Sequence, residues 1–254
     1  MANLICSVKN FSKRLVYMSE IYDEQFFKEE GSHNFKSSEI VAPLVIDLIH
    51  PRTMIDVGCG AAPWAKSFQT RGVESFGIDG DYVDRKLLLI DEKNFLPHNL
   101  EERFDLDRRL DLVVCLEVAE HLSPERAETF VEDLVKISDV VLFSAAIAGQ
   151  AGAHHVNCQF QSCWADIFKK FDYVPVDYLR QKFWSDDRID VMYRQNMLLY
   201  IRERELSKYP VLFDFYCRNR DSQILDLVHP EFYMFYINAL ISKVRDLKHD
   251  RSGN

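Results

Sequence analysis

The six cysteines of this 254-residue chain (Cys6, Cys59, Cys115, Cys158, Cys163 and Cys217) include no CxxC pair. That excludes the paired-cysteine signatures of metal and redox sites. The scatter, with Cys115 inside an apolar run, is the pattern expected of free thiols in a reducing cytosol. No apolar stretch approaches the roughly 18 residues of a membrane-spanning helix. The opening "MANLICSVKNFSKRL" has too short an apolar core for a signal peptide, so a soluble cytoplasmic protein with no membrane partner is expected. There is no run of Lys and Arg either, and the formal net charge is −9. A general affinity for nucleic-acid phosphates, which needs clustered basic residues, is therefore not expected. Internal repeats, low-complexity tracts and Gly/Ser linkers are also missing. What is present is 47% hydrophobic and 13% aromatic residues, enough to fill the core of one medium α/β domain with extensions.

Residues 1–50 read as a helical, polar N-terminal extension. It ends in the amphipathic "SSEIVAPLVIDLIHP", where Ser37 or Ser38 is placed to cap a helix and Pro51 to stop it. From Thr53 onward short apolar runs alternate with helical patterns. "TMIDVGC", "ESFGIDG", "DLVVCLE" and "DVVLFSAAI" read as strands, and "APWAKSFQTRG" and "SCWADIFKKF" as helices. Ser123-Pro124 has the character of an N-cap and first helical residue, ahead of an apolar stripe at Phe130, Leu134 and Ile137. Continuously apolar strands between helices predict a parallel sheet covered on both faces. "YVPVDYLRQ" and "NMLLYIRE" close the series as two strands with no obvious helix between them, so one late strand is expected to be antiparallel. Residues 205–254 read as a helical, aromatic-rich C-terminal appendage whose Phe/Tyr stripe suits packing.

In an open α/β sheet, ligands bind at the carboxyl ends of strands where strand order reverses. The first strand ends "IDVGCGAAPW", and Gly58 and Gly60 allow a sharp turn and a close approach to a ligand. About 20 residues on, Asp79 in "FGIDGD" is placed to accept both hydroxyls of a ribose. A nucleoside-bearing cofactor is implied. Pro63 stands where a dinucleotide fingerprint wants its third glycine, and Asp56 beside the turn suits a cationic cofactor better than a pyrophosphate.

"IDVGCG", "GIDG", "FLPHNLEE" and "LDLVVCLEVAEHL", in that order, resemble the motifs of class I S-adenosylmethionine-dependent methyltransferases. The resemblance runs from about Met54 to Arg202. Its later segments are similar to a bacterial subgroup associated with glycan and secondary-metabolite O-methylation. It implies a Rossmann-like, mostly parallel seven-stranded sheet, with the S-adenosylmethionine-binding domain over residues 51–204. It further implies that Gly58 and Gly60 line the methionine part of the cofactor, with Asp56 near them. Asp79 would hold the ribose, Gly80 would let the adenine lie close, and Asn99 and Leu100 would flank it. Asn99 stands where many relatives have Asp, and Ala62 where they commonly carry a third glycine.

Glu117, Glu120 and His121 follow the fourth strand at i, i+3 and i+4, so a single helical turn there would face all three toward one cleft. The resemblance places Glu117 and Val118 at the sulfonium end of the cofactor. Small-RNA 2′-O-methyltransferases and ubiquinone-pathway O-methyltransferases are similar in carrying E-x-x-E-H after strand four and a histidine after strand five, around a divalent ion. Of His154 and His155, His155 matches that histidine. Glu117, Glu120, His121 and His155 are thus candidate ligands of Mg²⁺, Mn²⁺ or Zn²⁺. Without a metal, His155 is the candidate general base. Arg180, Trp184, Tyr193, Arg194, Gln195 and Asn196 suit either an acceptor pocket or the polar anchoring of a hairpin; His229 and Pro230 have no assigned mechanism. The expected activity is methyl transfer to a hydroxyl of a small-molecule acceptor, a sugar or secondary metabolite. RNA 2′-O-methylation and an inactive cofactor-binding partner subunit are the alternatives.

Overall fold

The computed structural model describes residues 24–150 and 152–252; the expectation of helix over residues 1–23 lies outside them. A long helix, α1 (Glu24–Ile49), leads into seven strands: β1 (Thr53–Val57), β2 (Glu74–Asp79), β3 (Phe95–Pro97), β4 (Leu112–Leu116), β5 (Val140–Ser144), β6 (Tyr173–Val176) and β7 (Leu198–Arg202). They form one sheet in the order 3-2-1-4-5-7-6. β7 runs antiparallel to both β5 and β6, and every other pairing is parallel. The sheet order reverses between β1 and β4, which fixes the ligand crevice outside their carboxyl ends.

Period-two alternation sorts each strand between two cores. Met54, Leu112, Val114 and Leu199 pack with Val41, Val45, Trp64 and Phe68 on one face. Ile55, Val57, Val113 and Cys115 pack with Phe130, Leu134, Trp164 and Phe168 on the other. The first layer comes from α1 and α2 (Pro63–Gln69), the second from α3 (Ala127–Ile137) and α4 (Gln161–Lys169). Both faces are covered, and this is why the strands read as unbroken apolar runs. No helix among the described residues is long and apolar enough to cross a membrane.

Three local expectations are corrected. Ser37 and Ser38 do not cap a helix but lie within α1, facing the core. There the Ser38 hydroxyl meets that of Ser67 at 2.6 Å, and Ser37 donates to Asp190. Ser123 precedes a short 3₁₀ turn, Pro124–Arg126, and α3 begins only at Ala127. Its hydroxyl donates to Glu101 rather than closing back on the turn. Between β6 and β7 the chain forms two six-residue helices, α5 (Tyr178–Phe183) and α6 (Val191–Asn196), where a loop was expected. Beyond β7, α7 (Pro210–Asn219) and α8 (Pro230–Ser252) give the expected helical tail.

Candidate active site

The turn after β1 is built from left-handed backbone. Gly58 has φ 79°, Gly60 φ 52° and Ala62 φ 62°. A Cβ on Gly58 would lie 2.3 Å from Val118 Cγ2, so the β1 and β4 turns touch through a missing side chain. Ala62 occupies the position where a third glycine was noted to be usual; its left-handed conformation supplies the reason, since glycine adopts it without strain. The amides of Gly58 and Cys59 donate to Ile78 O, and the Gly60 amide donates to Asp79 Oδ2 at 2.7 Å. Asp79 also accepts from the Gly80 amide at 2.6 Å and the Tyr82 hydroxyl at 2.5 Å. Burial pushes its carboxyl up, and these three donors oppose the shift. Gly80 is held against the Tyr82 ring, which a Cβ would meet at 2.0 Å. Asn99 is exposed and bonded within its own turn, accepting from the Glu101 amide, while Leu100 is buried. The His98 amide donates to Asp79 O and ties that turn to the end of β2.

Asp56 is 3% exposed, and its only hydrogen bond among the described residues is a long one from the Ala65 amide, 3.4 Å. Burial pushes its carboxyl up to about 8; the Ala65 amide opposes this and the Asp79 charge adds to it. The folded value lies above the roughly 3.9 of an unfolded aspartate. Its contribution to stability is therefore complete at low pH and is lost as pH rises through about 8. The ligand-free protein should melt progressively lower between about pH 4 and pH 8, and Asp56→Asn should flatten that decline. Scanning calorimetry across the range measures it; parallel profiles for the two proteins would remove the assignment.

The expected helical turn over residues 117–121 is corrected. Glu117 is left-handed (φ 56°), and only Ala119–His121 form a 3₁₀ turn. Glu117 leaves the turn at this kink, its carboxyl still close enough to that of Glu120 to interact with it. Its amide donates to Ser144 O and Oγ, and its carboxylate accepts from Asn196 Nδ2 at 3.1 Å and Gln150 Nε2 at 3.3 Å. Burial raises its pKa, with the bonds from Ser144 and Asn196 opposing.

Glu120, His121 and His155 converge instead, with one ligand atom from each within 4.8 Å of the others. The loop after β5 brings His155 there, because the Val156 and Asn157 amides both donate to Glu120 O and the Asn157 side chain donates to Ala119 O. Glu120 is fully buried, and neither carboxyl oxygen has a hydrogen-bond partner of good geometry. Its pKa is driven well up, by burial first and the Glu117 charge second. His121 Nδ1 is likewise buried without a partner. Burial and the neighbouring His155 hold His121 down to about 4, so it is neutral at pH 7. His155 Nδ1 lies 3.1 Å from Gln150 O. A carbonyl can only accept, so Nδ1 carries the proton and Nε2 keeps its lone pair. Glu117 is outside this trio, and so is His154.

Four of the candidate pocket residues turn out to be anchors. Arg180 pairs with Asp177 and donates to Leu225 O and Ile224 O. Arg194 holds Glu231 through two bonds of 2.9 and 2.8 Å. Trp184 O accepts from the His229 ring, and the Tyr193 hydroxyl donates to Asn34. Gln150, Ser144 and Tyr82 were not singled out from the sequence. Gln150 had one signal, a polar residue inside the glycine-containing loop after β5.

The 3-2-1-4-5-7-6 sheet, its antiparallel β7 and the glycine turn at the β1/β4 switch define the Rossmann-like fold of class I S-adenosylmethionine-dependent methyltransferases. Within it, residues 29–144 match the family described as "Methyltransferase domain". A ubiquinone biosynthesis O-methyltransferase of Rickettsia bellii is 33% identical over 88 residues, 33% of this chain and 36% of the relative. The chain therefore matches little more than a third of the length of that curated relative. Among solved structures, S-adenosylmethionine-bound CalS10 is an amino pentose methyltransferase of Micromonospora echinaspora involved in calicheamicin biosynthesis. It is 13% identical with a TM-score of 0.53, covering 71% of this chain and 97% of its own. An O-methyltransferase structure from Nostoc punctiforme, itself described as putative, is 12% identical with a TM-score of 0.52, covering 70% and 59%. At these identities both structures speak for the fold alone.

Proposed function

We propose that this chain binds S-adenosylmethionine and transfers its methyl group to a hydroxyl of a small acceptor, a sugar or secondary metabolite. The observation that carries the reading is the set of three carboxylates around the glycine turn: buried Asp56 and Asp79, and half-buried Glu117 after β4. None is ion-paired with a Lys or Arg among the described residues. Burying ionisable groups is unfavourable unless hydrogen bonds or a ligand compensate them, and Asp56, with one long hydrogen bond, is the least compensated of the three. A cofactor with an ammonium group, a ribose diol and a sulfonium offers one compensating group for each. Asp56 would meet the ammonium, Asp79 would accept from the ribose in place of Tyr82, and Glu117 would face the sulfonium. Gly80 and the Asn99–Leu100 turn would lie along the adenine. When bound, the cofactor supplies an electrophilic methyl group, and the protein's part is alignment.

The trio beside this turn fits a divalent cation such as Mg²⁺, Mn²⁺ or Zn²⁺. It offers a fully buried carboxylate without partners and two imidazoles, one with an orphaned nitrogen. Such an ion, when bound, lowers the pKa of a coordinated hydroxyl. His155 Nε2, with its lone pair free, is the group to receive the hydroxyl proton where no ion is used. A cytoplasmic setting is part of the same reading, supported by the free thiols of Cys59 and Cys115.

Titration calorimetry with S-adenosylmethionine and with its demethylated product tests the first step, and a methyl-transfer screen over hydroxylated sugars and metabolites tests the second. Absence of binding to both compounds would sink the proposal. Binding without transfer to any acceptor would favour a partner subunit.

A further inference from the structure

A ladder of buried amides joins the C-terminal appendage to the candidate site. The His229 amide, at the entrance to α8, donates to Gln195 Oε1 at 2.7 Å. Gln195 Nε2 donates onward to Asn196 Oδ1 at 3.0 Å and to Gln150 Oε1 at 3.3 Å. Asn196 Nδ2 and Gln150 Nε2 both end on the Glu117 carboxylate, and Gln150 O fixes the His155 ring. Gln195 is fully buried, and the ladder spans segments 33 to 79 residues apart. Each amide has its direction set by its neighbours. His229 N–H can only donate, which fixes the Gln195 oxygen toward the appendage. Its nitrogen must then point inward, and Asn196 must turn its own nitrogen to Glu117. The segment carrying His229 is tied to the domain on either side, where Arg180 donates to Ile224 O and Leu225 O, and Arg194 donates to Glu231.

We propose that Gln195 is a positioning residue through which the appendage orients Glu117, and with it the cofactor's sulfonium end. The inference rests on the proposed contact between Glu117 and the cofactor. Polar networks of this kind act as a unit, so removing one member loosens the others.

A double-mutant cycle on S-adenosylmethionine affinity, read by calorimetry, provides the test. Gln195→Met should weaken binding about tenfold, the size of one disrupted buried network. On a Glu117→Gln background the same change should have less than about a twofold effect. Equal weakening on both backgrounds would mean a general structural role and overturn the proposal, as would unchanged affinity on the wild-type background. Gln195→Glu keeps the shape and the acceptor toward His229 but removes the inward donor, so it carries the same test if the Met variant does not fold. Amide hydrogen exchange supplies a readout that needs no cofactor. Exchange should rise in both the 224–231 and 145–157 segments of Gln195→Met, and a rise in the first alone would overturn the coupling. Wild-type protein that fails to bind S-adenosylmethionine would count against the cofactor reading, and exchange would still decide the coupling.

Discussion

Gly58→Val should lower S-adenosylmethionine affinity by roughly a hundredfold or more, about 2.8 kcal/mol or more at tenfold per 1.4 kcal/mol. Two separate effects add at this position. The backbone is left-handed at φ 79°, a conformation that β-branched residues essentially never adopt. The new side chain would also begin 2.3 Å from Val118 Cγ2 and 2.7 Å from Cγ1. Relief requires the β1 turn to part from the β4 turn, and those turns carry Asp56 and Gly60 on one side and Glu117 on the other. The two effects can be separated with Gly72, which has φ 87° and nothing within 4 Å of a built Cβ. Gly72→Ala should suffer backbone strain of about 1–2 kcal/mol and leave cofactor affinity unchanged. Gly58→Ala should suffer the strain and lose affinity as well. Calorimetric titration of the three variants measures this. Cofactor binding by Gly58→Val within a few-fold of wild type would mean that the ligand does not use this turn.

Glu120→Met should abolish Mn²⁺ binding and lower turnover by about two orders of magnitude or more, while raising the melting temperature of the metal-free protein. The rise follows from removing a fully buried carboxyl group whose two oxygens have no partner. The gain is on the order of 1–3 kcal/mol, the desolvation penalty of such a group. His155→Ala should lose the same ion without the gain, because the His155 ring already donates to Gln150 O. Titration with Mn²⁺ alone and a thermal melt of each variant separate these outcomes. Wild-type Mn²⁺ affinity in Glu120→Met would remove the metal reading. Activity that survives chelation in wild type and disappears in His155→Ala would select the general base.

Sequence patterns that act over short distances proved readable. The unbroken apolar strands, the glycine turn and Asp79 at the end of β2 all follow from local rules of burial and backbone freedom. The convergence of Glu120 and His121 was also legible, because the two are adjacent in the sequence. Its third member came from the resemblance, and the loop after β5 does bring His155 to it. The conformation of Glu117 was not legible. A left-handed residue inside "CLEVAEH" leaves no mark on residue spacing, and it removes Glu117 from the face that the spacing assigns to it. The two short helices between β6 and β7 were missed because tertiary contacts support them. Arg180 reaches residues 224 and 225, and Arg194 reaches Glu231. For the same reason those arginines looked like pocket residues: a buried guanidinium and an exposed one are identical in a sequence.

The position of β7 also bears on how the chain is made. β7 lies between β5 and β6 yet is the last strand to leave the ribosome. Until Leu198–Arg202 emerges, β5 presents an open edge and β6 has no neighbour to pair with. Arg202 then bonds Asp139, at the start of β5, and the Tyr173 hydroxyl on β6, fastening both sides at once. Nascent chains stalled before residue 198 therefore expose a five-residue strand edge, apolar up to Ser144, of the kind that pairs with other chains.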